Sequence, residues 1–204
     1  MKALLYKDVR ILMHQSWLLL GLVMLFVIMS AALPDFSIFL AYAPLVLTSL
    51  AVSTLSYDER SGWLSYADTM PYGRGMVVLE KYVLALLGCF AATVLTVCIH
   101  LAFGIARGDF QIVELLFQMV VILATGLLYG AILLPLHFKF GAEKSNIVYI
   151  LVLVVMMIAV NWIPMPGIVL MDLGIIALLI FLAAVGILSA SYFLSVRIYR
   201  KRGL

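Results

Sequence analysis

The sequence predicts an all-α integral membrane protein with six transmembrane helices and with both termini in the cytoplasm. Of its 204 residues, 66% are hydrophobic and only 11% are charged, whereas a soluble domain carries about 25% charged residues. This composition excludes a globular cytosolic fold, and it excludes intrinsic disorder, which needs low hydrophobicity and high net charge. Runs such as Ile150–Val160 lack the alternating polarity of membrane strands, so the spans are expected to be helices.

The charged residues fall in short clusters, and the six charge-free stretches between these clusters predict six spans. Each stretch is long enough for one span of about 20 residues and too short for two. Within a single domain of residues 1–204, the spans are expected at about 17–34, 37–55, 82–106, 115–138, 146–162 and 173–196.

The distribution of Lys and Arg predicts the orientation. With the N-terminus in the cytoplasm, 12 of the 13 basic residues fall inside and only Arg107 falls outside, which is the bias that membrane proteins show. The net charge of +3 is then explained by topology and by attraction to anionic lipid. We expect the lipid bilayer, and no nucleic acid, as the partner of this charge.

The N-terminal segment, residues 1–16, precedes the first span and is amphipathic. Its apolar stripe and the basic stripe opposite it consist of Leu5, Val9 and Leu12 and of Lys7, Arg10 and His14. This pattern predicts a helix that lies in the headgroup plane. The alternative is a plain polar extension of the first span.

The longest polar segment, residues 57–77, lies between spans two and three on the cytoplasmic side. Trp63, Tyr66 and Met70 follow a helical spacing that places them on one face, and Pro71 prevents simple continuation of that helix. The segment therefore predicts a short helix with an aromatic face. That face either rests in the headgroups or docks a soluble partner, since Trp and Tyr are frequent anchors of interfaces.

Several kinds of catalytic chemistry are absent from the sequence. The segment Gly141–Ser145 lacks the glycine that a phosphate-binding loop carries before its lysine, so the chain is not expected to hydrolyse ATP. The three histidines, His14, His100 and His137, show no metal-ligand spacing, and no catalytic residue or metal site is expected. No acidic or basic residue lies deep within a predicted span, which argues against a proton pump or an ion-coupled symporter. Sodium coupling through hydroxyl and carbonyl groups is the weaker alternative. Otherwise the energy for any transport must come from elsewhere.

The chain resembles the type-2 ABC transporter permeases. The resemblance is strongest to the short branch that includes permeases of bacterial peptide exporters such as the phenol-soluble modulin exporter. The matching residues occur in the order Glu59, Trp63, Tyr66, Thr69, Pro71, Arg74, Lys81 and Tyr82. A second match lies at the inner end of span four, at Pro135, Lys139, Gly141, Glu143 and Lys144, and the start Met-Lys-Ala-Leu-Leu-Tyr-Lys-Asp is also typical. The chain departs from the pattern at Met70, where leucine is usual, and at Gly73, where serine is usual.

This resemblance implies a permease subunit that pairs with a second permease subunit, as a homodimer or a heterodimer. It implies a cytoplasmic ABC ATPase that docks on a coupling helix at Trp63–Met70 and that binds ATP and Mg, so this chain needs no cofactor. The residues implied in coupling are Asp58, Glu59, Arg60, Trp63, Tyr66, Thr69, Met70, Pro71 and Arg74.

The same resemblance guides the expectations for the spans. Tyr42, Ser49 and Ser53 lie on one face of span two and either line a path for an amphipathic cargo or form hydrogen bonds between helices. Gly126 and Gly130 form a GxxxG pair that predicts close packing within one subunit, and Pro135 predicts a kink in span four.

The leading functional prediction is export of an amphipathic or hydrophobic cargo, such as a modulin-like or antimicrobial peptide, across the bacterial plasma membrane. Export of drugs or lipids, or self-protection against a membrane-active antibiotic, is the nearest alternative. The more distant alternative is a membrane scaffold or sensor that recruits a partner without transport.

Overall fold

The computed structural model describes residues 2–15, 21, 25, 43–67, 74–107, 112–162 and 170–201. In this part of the chain the regular structure is helical throughout. The helices are α1 (Lys2–Gln15), α2 (Ala43–Thr48), α3 (Leu50–Arg60), α4 (Trp63–Ala67), α5 (Arg74–Arg107), α6 (Ile112–Trp162) and α7 (Leu170–Lys201).

Three of these helices are long and apolar enough to cross a membrane. The candidate spans within the described residues are Arg74–Ile99, Met119–Gly141 and Ala177–Lys201. They overlap the predicted third, fourth and sixth spans. The predicted second span corresponds to α2 and α3, which Ser49 separates, and the predicted fifth corresponds to the last part of α6. Most of the predicted first span lies outside the described residues.

Helix α5 begins at Arg74, well before the span boundary that the sequence predicted at residue 82. The prediction used the charge of Lys81 as the limit of the span. The structure instead continues the helix through Glu80 and Lys81, both fully buried within the chain. A charged residue marks the point where the lipid-facing surface of a helix ends. The helix itself continues beyond that point when the charged side chain is buried against protein.

Helix α6 contains two helical segments joined at Gly141. This residue has φ 76° and ψ 176°, a backbone conformation that is open essentially to glycine alone. The break at Gly141 lies six residues beyond Pro135, the residue at which the sequence predicted a kink. Pro135 lies inside the helix, where it cannot donate a backbone hydrogen bond, and the kink at Pro135 stays a prediction.

Three glycines allow α2, α5 and α6 to approach one another closely. A Cβ atom on Gly88 of α5 would lie 2.6 Å from the carbonyl oxygen of Leu47, and one on Gly126 of α6 would lie 2.5 Å from the Cys89 sulfur. Gly130 is similarly crowded, with Thr48 Cγ2 at 3.1 Å. The GxxxG pair thus packs within this chain, as predicted.

Helix α7 packs along α6 and is joined to α5 by a buried hydroxyl network. The Tyr82 hydroxyl lies 2.7 Å from Ser191 Oγ and 2.8 Å from Ser195 Oγ. Ser191 in turn donates to the carbonyl oxygen of Ala131. One set of side chains therefore fixes α5, α6 and α7 relative to one another at the end of the bundle that carries α1 and α4.

Candidate functional site

The predicted docking segment begins with a tight turn between α3 and α4. Helix α3 ends because Gly62 adopts a left-handed conformation, with φ 71°, which is the usual conformation of a glycine that terminates a helix. The amide of Gly62 donates to the carbonyl of Glu59, and the amide of Ser61 donates to that of Tyr57. The chain therefore reverses at once, and α4 packs back beside the end of α3 with Leu64 and Ala67 buried.

A fully buried lysine lies beneath this turn. Lys81 Nζ is 2.5 Å from Asp8 Oδ2 on α1 and 2.7 Å from Asp58 Oδ2 on α3. It also donates to Thr54 Oγ1 at 3.3 Å, while that hydroxyl donates to the carbonyl of Ala51. Taking an ammonium group out of water costs several kcal/mol, so its three acceptors are what makes this burial possible.

A second lysine connects the same carboxylates to the docking segment. Lys7 Nζ lies 2.6 Å from Asp58 Oδ1 and 3.1 Å from Asp8 Oδ1. The same ammonium group lies 3.6 Å from the centroid of the Trp63 ring, which is a cation–π contact. We call Lys7, Asp8, Asp58, Lys81 and Trp63 the charge cluster. Because its members lie on α1, α3, α4 and α5, it holds four helices together at one point.

The charge cluster also determines how Asp8 titrates. Burial alone would raise the pKa of this carboxyl, but the charge and the hydrogen bond of Lys81 outweigh burial and hold the pKa below its ordinary value of 3.8. A lowered pKa in the folded state contributes stability that is complete above the unfolded pKa and is lost as pH falls through the folded pKa. We therefore expect Asp8 to be ionised at neutral pH and the stability from its ion pairs to be lost only as pH falls below its ordinary pKa of 3.8.

Two further contacts attach this region to α6 and α7. His137 of α6 is buried, with its Nε2 atom 3.4 Å from Ser56 Oγ and 3.9 Å from Glu59 Oε2 on α3. At the start of α5, Arg74 donates to the carbonyl of Arg200 at 3.4 Å, and a cation at the last carbonyls of a helix is favourable. These contacts join the end of α3 to α6 and the start of α5 to the end of α7.

The residues that the resemblance assigned to coupling fall into an exposed and a buried set. Tyr66 is 61% exposed and Arg60 is exposed at the tip of the turn. Asp58 is buried, Trp63 is partly buried against the core, and Glu59 faces His137. Thr69, Met70 and Pro71 lie outside the described residues. The aromatic face predicted for Trp63 and Tyr66 is thus divided, because Lys7 draws the tryptophan ring inward while the tyrosine ring stays at the surface.

Helix α1 buries Leu4 and Asp8 against the rest of the chain, and Asp8 is paired there with Lys81. Val9, which the sequence placed in the apolar stripe with Leu5 and Leu12, is 45% exposed. The placement of that stripe in the headgroups stays a prediction. An acidic residue between Leu4 and Leu12, at helical spacing, is the signal that could have indicated the buried face.

The hydroxyl groups proposed to line a path are used within their own helix. Ser49 is buried and donates to the carbonyl of Val46 at 2.6 Å, and Ser53 donates to the carbonyl of Ser49 at 3.3 Å. Tyr42 lies outside the described residues. In the described part of α2 and α3, the hydroxyl groups of Ser49 and Ser53 therefore both donate to backbone carbonyls.

The second sequence match surrounds the kink of α6. Gly141 forms the kink, Pro135 is buried before it, and Lys139 is exposed, with its Nζ atom 5.3 Å from the Phe140 ring centroid. Glu143 and Lys144 lie in the helix after the kink, and their side chains are outside the described residues. Among the described residues, no group of His, Cys, Asp and Glu side chains is arranged to hold a metal ion.

Comparison with known proteins gives one family. Residues 3–200, nearly the whole chain, match the family model described as ABC-2 family transporter protein. No curated protein and no solved structure matches the chain.

Proposed function

The chain belongs to the ABC-2 transporter family, the type-2 ABC permeases, and on this premise we propose that it is the transmembrane permease subunit of an ATP-driven exporter. As a member of this family it is a membrane transport component. A separate cytoplasmic ABC ATPase, which binds ATP and Mg, docks on residues 57–77. Two permease subunits, identical or related, pair in the bacterial plasma membrane, each with six spans and with cytoplasmic termini.

The observation that carries the docking proposal is the contrast between an exposed tip and a buried base. Tyr57, Arg60 and Tyr66 are exposed at the turn between α3 and α4, while Leu64 and Ala67 are buried beneath it. Tyrosine and arginine are frequent energetic anchors of protein interfaces. A tip of this composition, held by the charge cluster, suits a partner that must transmit force as well as bind.

The contacts beneath the tip suggest how movement of the ATPase reaches the spans. A push on α4 acts through Trp63 and Lys7 on α1, and through Asp58 and Lys81 on α5. Packed side chains and ion pairs transmit small displacements because protein interiors are dense and deform little. We infer that the start of α5 and the N-terminal helix move with the docking segment as one unit.

The cargo that we propose is an amphipathic or hydrophobic peptide, such as a modulin-like or antimicrobial peptide. The resemblance to the short peptide-exporter branch supports this choice. Export of drugs or lipids, and self-protection against a membrane-active antibiotic, require the same permease and differ only in the cargo. A scaffold or sensor would dock a partner without any cargo-dependent ATP hydrolysis.

Co-purification tests the proposal. The detergent-solubilised chain is purified with an ABC ATPase encoded beside its gene, and ATP hydrolysis is measured with and without amphipathic peptides. We expect a stable complex whose hydrolysis responds to peptide. A stable complex with no response to any cargo would indicate the scaffold, and a folded dimeric chain that binds no ATPase would contradict the docking proposal.

Substitution of the exposed tyrosine gives a sharper result. Tyr66→Ala is expected to weaken ATPase binding by about thirtyfold, the effect of losing an anchor worth about 2 kcal/mol, and to lower the thermal stability of the chain less than Trp63→Ala does, because Tyr66 is 61% exposed. Trp63→Ala serves as the comparison, because its ring packs on the core and on Lys7. We expect it to lower stability and binding together. Equal ATPase affinity for Tyr66→Ala and the unmodified chain would contradict this assignment.

A further inference from the structure

A cavity of about 770 Å³ lies between the start of α5 and the end of α7, within the size range of about 300–1,000 Å³ that is usual for small-molecule sites. Gly75 lines one side of it, where a Cβ atom would lie 4.0 Å from the Tyr192 hydroxyl. The other side is the last three turns of α7. The cavity is separate from the charge cluster and from the exposed tip.

The lining of this cavity is basic at one end and apolar at the other. Arg197, Arg200 and Lys201 provide three exposed cationic side chains, and Arg197 and Lys201 lie one helical turn apart. Phe193 and Leu194, which are 71% and 51% exposed, line the adjoining part. Among the described residues, no acidic side chain lines the cavity. Its chemistry suits a ligand that has an anionic head and an apolar tail.

The apolar part of the cavity continues along a largely uncovered helix. Only 17% of the window Ala177–Lys201 is buried within the chain, against 56% of Met119–Gly141. Leu179, Leu182 and Ile187 remain between 49% and 58% exposed beyond the cavity. An apolar strip that leads away from a basic pocket has the arrangement of acyl chain and headgroup in a phospholipid.

We propose that this cavity binds one anionic phospholipid of the adjacent leaflet, with its phosphate against Arg197 and Lys201 and an acyl chain along Leu194 and α7. The inference rests on the membrane topology proposed above and does not depend on transport. Basic pockets beside transmembrane helices at the cytoplasmic side are known to hold anionic headgroups. The bound lipid holds the end of α7 in place. The hydrogen bond from Arg74 to the carbonyl of Arg200 joins that end to the start of α5.

The charges favour a lipid over the other possible occupants. A second copy of the chain, packed about a two-fold axis on this face, would place the same three cationic groups opposite one another. A free phosphate ion would make no use of Phe193 and Leu194. A phospholipid satisfies both ends of the cavity at once.

Native mass spectrometry of the purified full-length chain in mild detergent tests this proposal without any ATPase. We expect phosphatidylglycerol to be retained in preference to phosphatidylcholine of the same acyl chains. Each basic residue near an anionic headgroup contributes about fivefold in affinity, so Arg197→Gln/Lys201→Gln is expected to lower phosphatidylglycerol binding by about 25-fold. Gly75→Trp, which keeps all charges and occupies part of the cavity, is expected to lower binding as well.

The matched control is Arg10→Gln/Lys139→Gln, which removes two exposed charges outside the cavity and is expected to bind as the unmodified chain does. Thermal denaturation of each variant verifies that it is folded. Equal binding by the cavity variant and the control would overturn the proposal. So would full competition by glycerol phosphate, which indicates a free-anion site. Disulfide cross-linking between two chains that carry Leu182→Cys together with Cys98→Ser, which removes the exposed native thiol, would also overturn it, because it indicates that a second copy covers this face.

Discussion

Lys81→Met is expected to destabilise the folded chain by about 3–5 kcal/mol, the cost of leaving buried charges without their partner. Asp8 and Asp58 would both lose the ammonium group that now lies 2.5 Å and 2.7 Å away. The partly exposed Lys7 could compensate only part of this loss. Thermal denaturation of the detergent-purified chain measures the effect, with Lys139→Met as the control, because Lys139 is exposed.

The charge cluster also predicts that two further substitutions restore the stability lost in Lys81→Met. This result separates the effect of unpaired charge from the effect of packing. In Asp8→Asn/Asp58→Asn/Lys81→Met, the buried ammonium group and both of its carboxylate partners are removed together. Lys7 is the remaining ion of the cluster, and its side chain is 25% exposed and can be solvated by water. Replacing a whole buried ion network is often neutral or even stabilising, whereas removing one partner is costly. We expect most of the lost stability to return. A Lys81→Met variant that denatures at the temperature of the unmodified chain would refute the assigned role of the cluster.

Gly88→Val is expected to lower stability by about 3 kcal/mol, the upper end of the usual cost of overpacking a core. A Cβ atom at this position would lie 2.6 Å from the carbonyl oxygen of Leu47 and 3.2 Å from its carbonyl carbon. Both atoms belong to the backbone of α2, so they cannot move aside as a side chain could. The helices α2 and α5 would have to separate instead.

The control for this substitution is Gly186→Val, in another long apolar helix, where a Cβ atom meets nothing within 4 Å. We expect its denaturation temperature to equal that of the unmodified chain, measured in the same detergent. If Gly88→Val and Gly186→Val denature at the same temperature, the close approach of α2 and α5 does not contribute to stability.

Local patterns in the sequence predicted the helical elements of this chain well. The apolar stretch 115–138 predicted a span that overlaps Met119–Gly141, and the amphipathic residues 1–16 predicted a helix that the structure places at Lys2–Gln15. These features depend on neighbours along the chain, and therefore hydropathy and helical spacing were sufficient. The GxxxG pair at Gly126 and Gly130 was likewise a local signal.

The charge cluster could not be predicted in this way. Lys81 is separated by 73 residues from Asp8 and by 23 residues from Asp58, and no spacing rule joins such distant positions. The charge of Lys81 also set the limit of the predicted third span, whereas the helix itself begins at Arg74 and includes this lysine. Trp63 was predicted to share a surface with Tyr66, whereas its ring packs against the core and lies 3.6 Å from Lys7 Nζ, which belongs to a separate helix.

Photo-crosslinking from position 66 tests the central claim most directly. A photoreactive phenylalanine analogue replaces Tyr66 in one preparation and Phe193, 71% exposed on α7, in another, and both are irradiated in membranes that contain the ABC ATPase. We predict a cross-link to the ATPase from position 66 and none from position 193. An ATPase that co-purifies with the chain and yet forms no cross-link at position 66, or forms it from position 193, would contradict docking on residues 57–77.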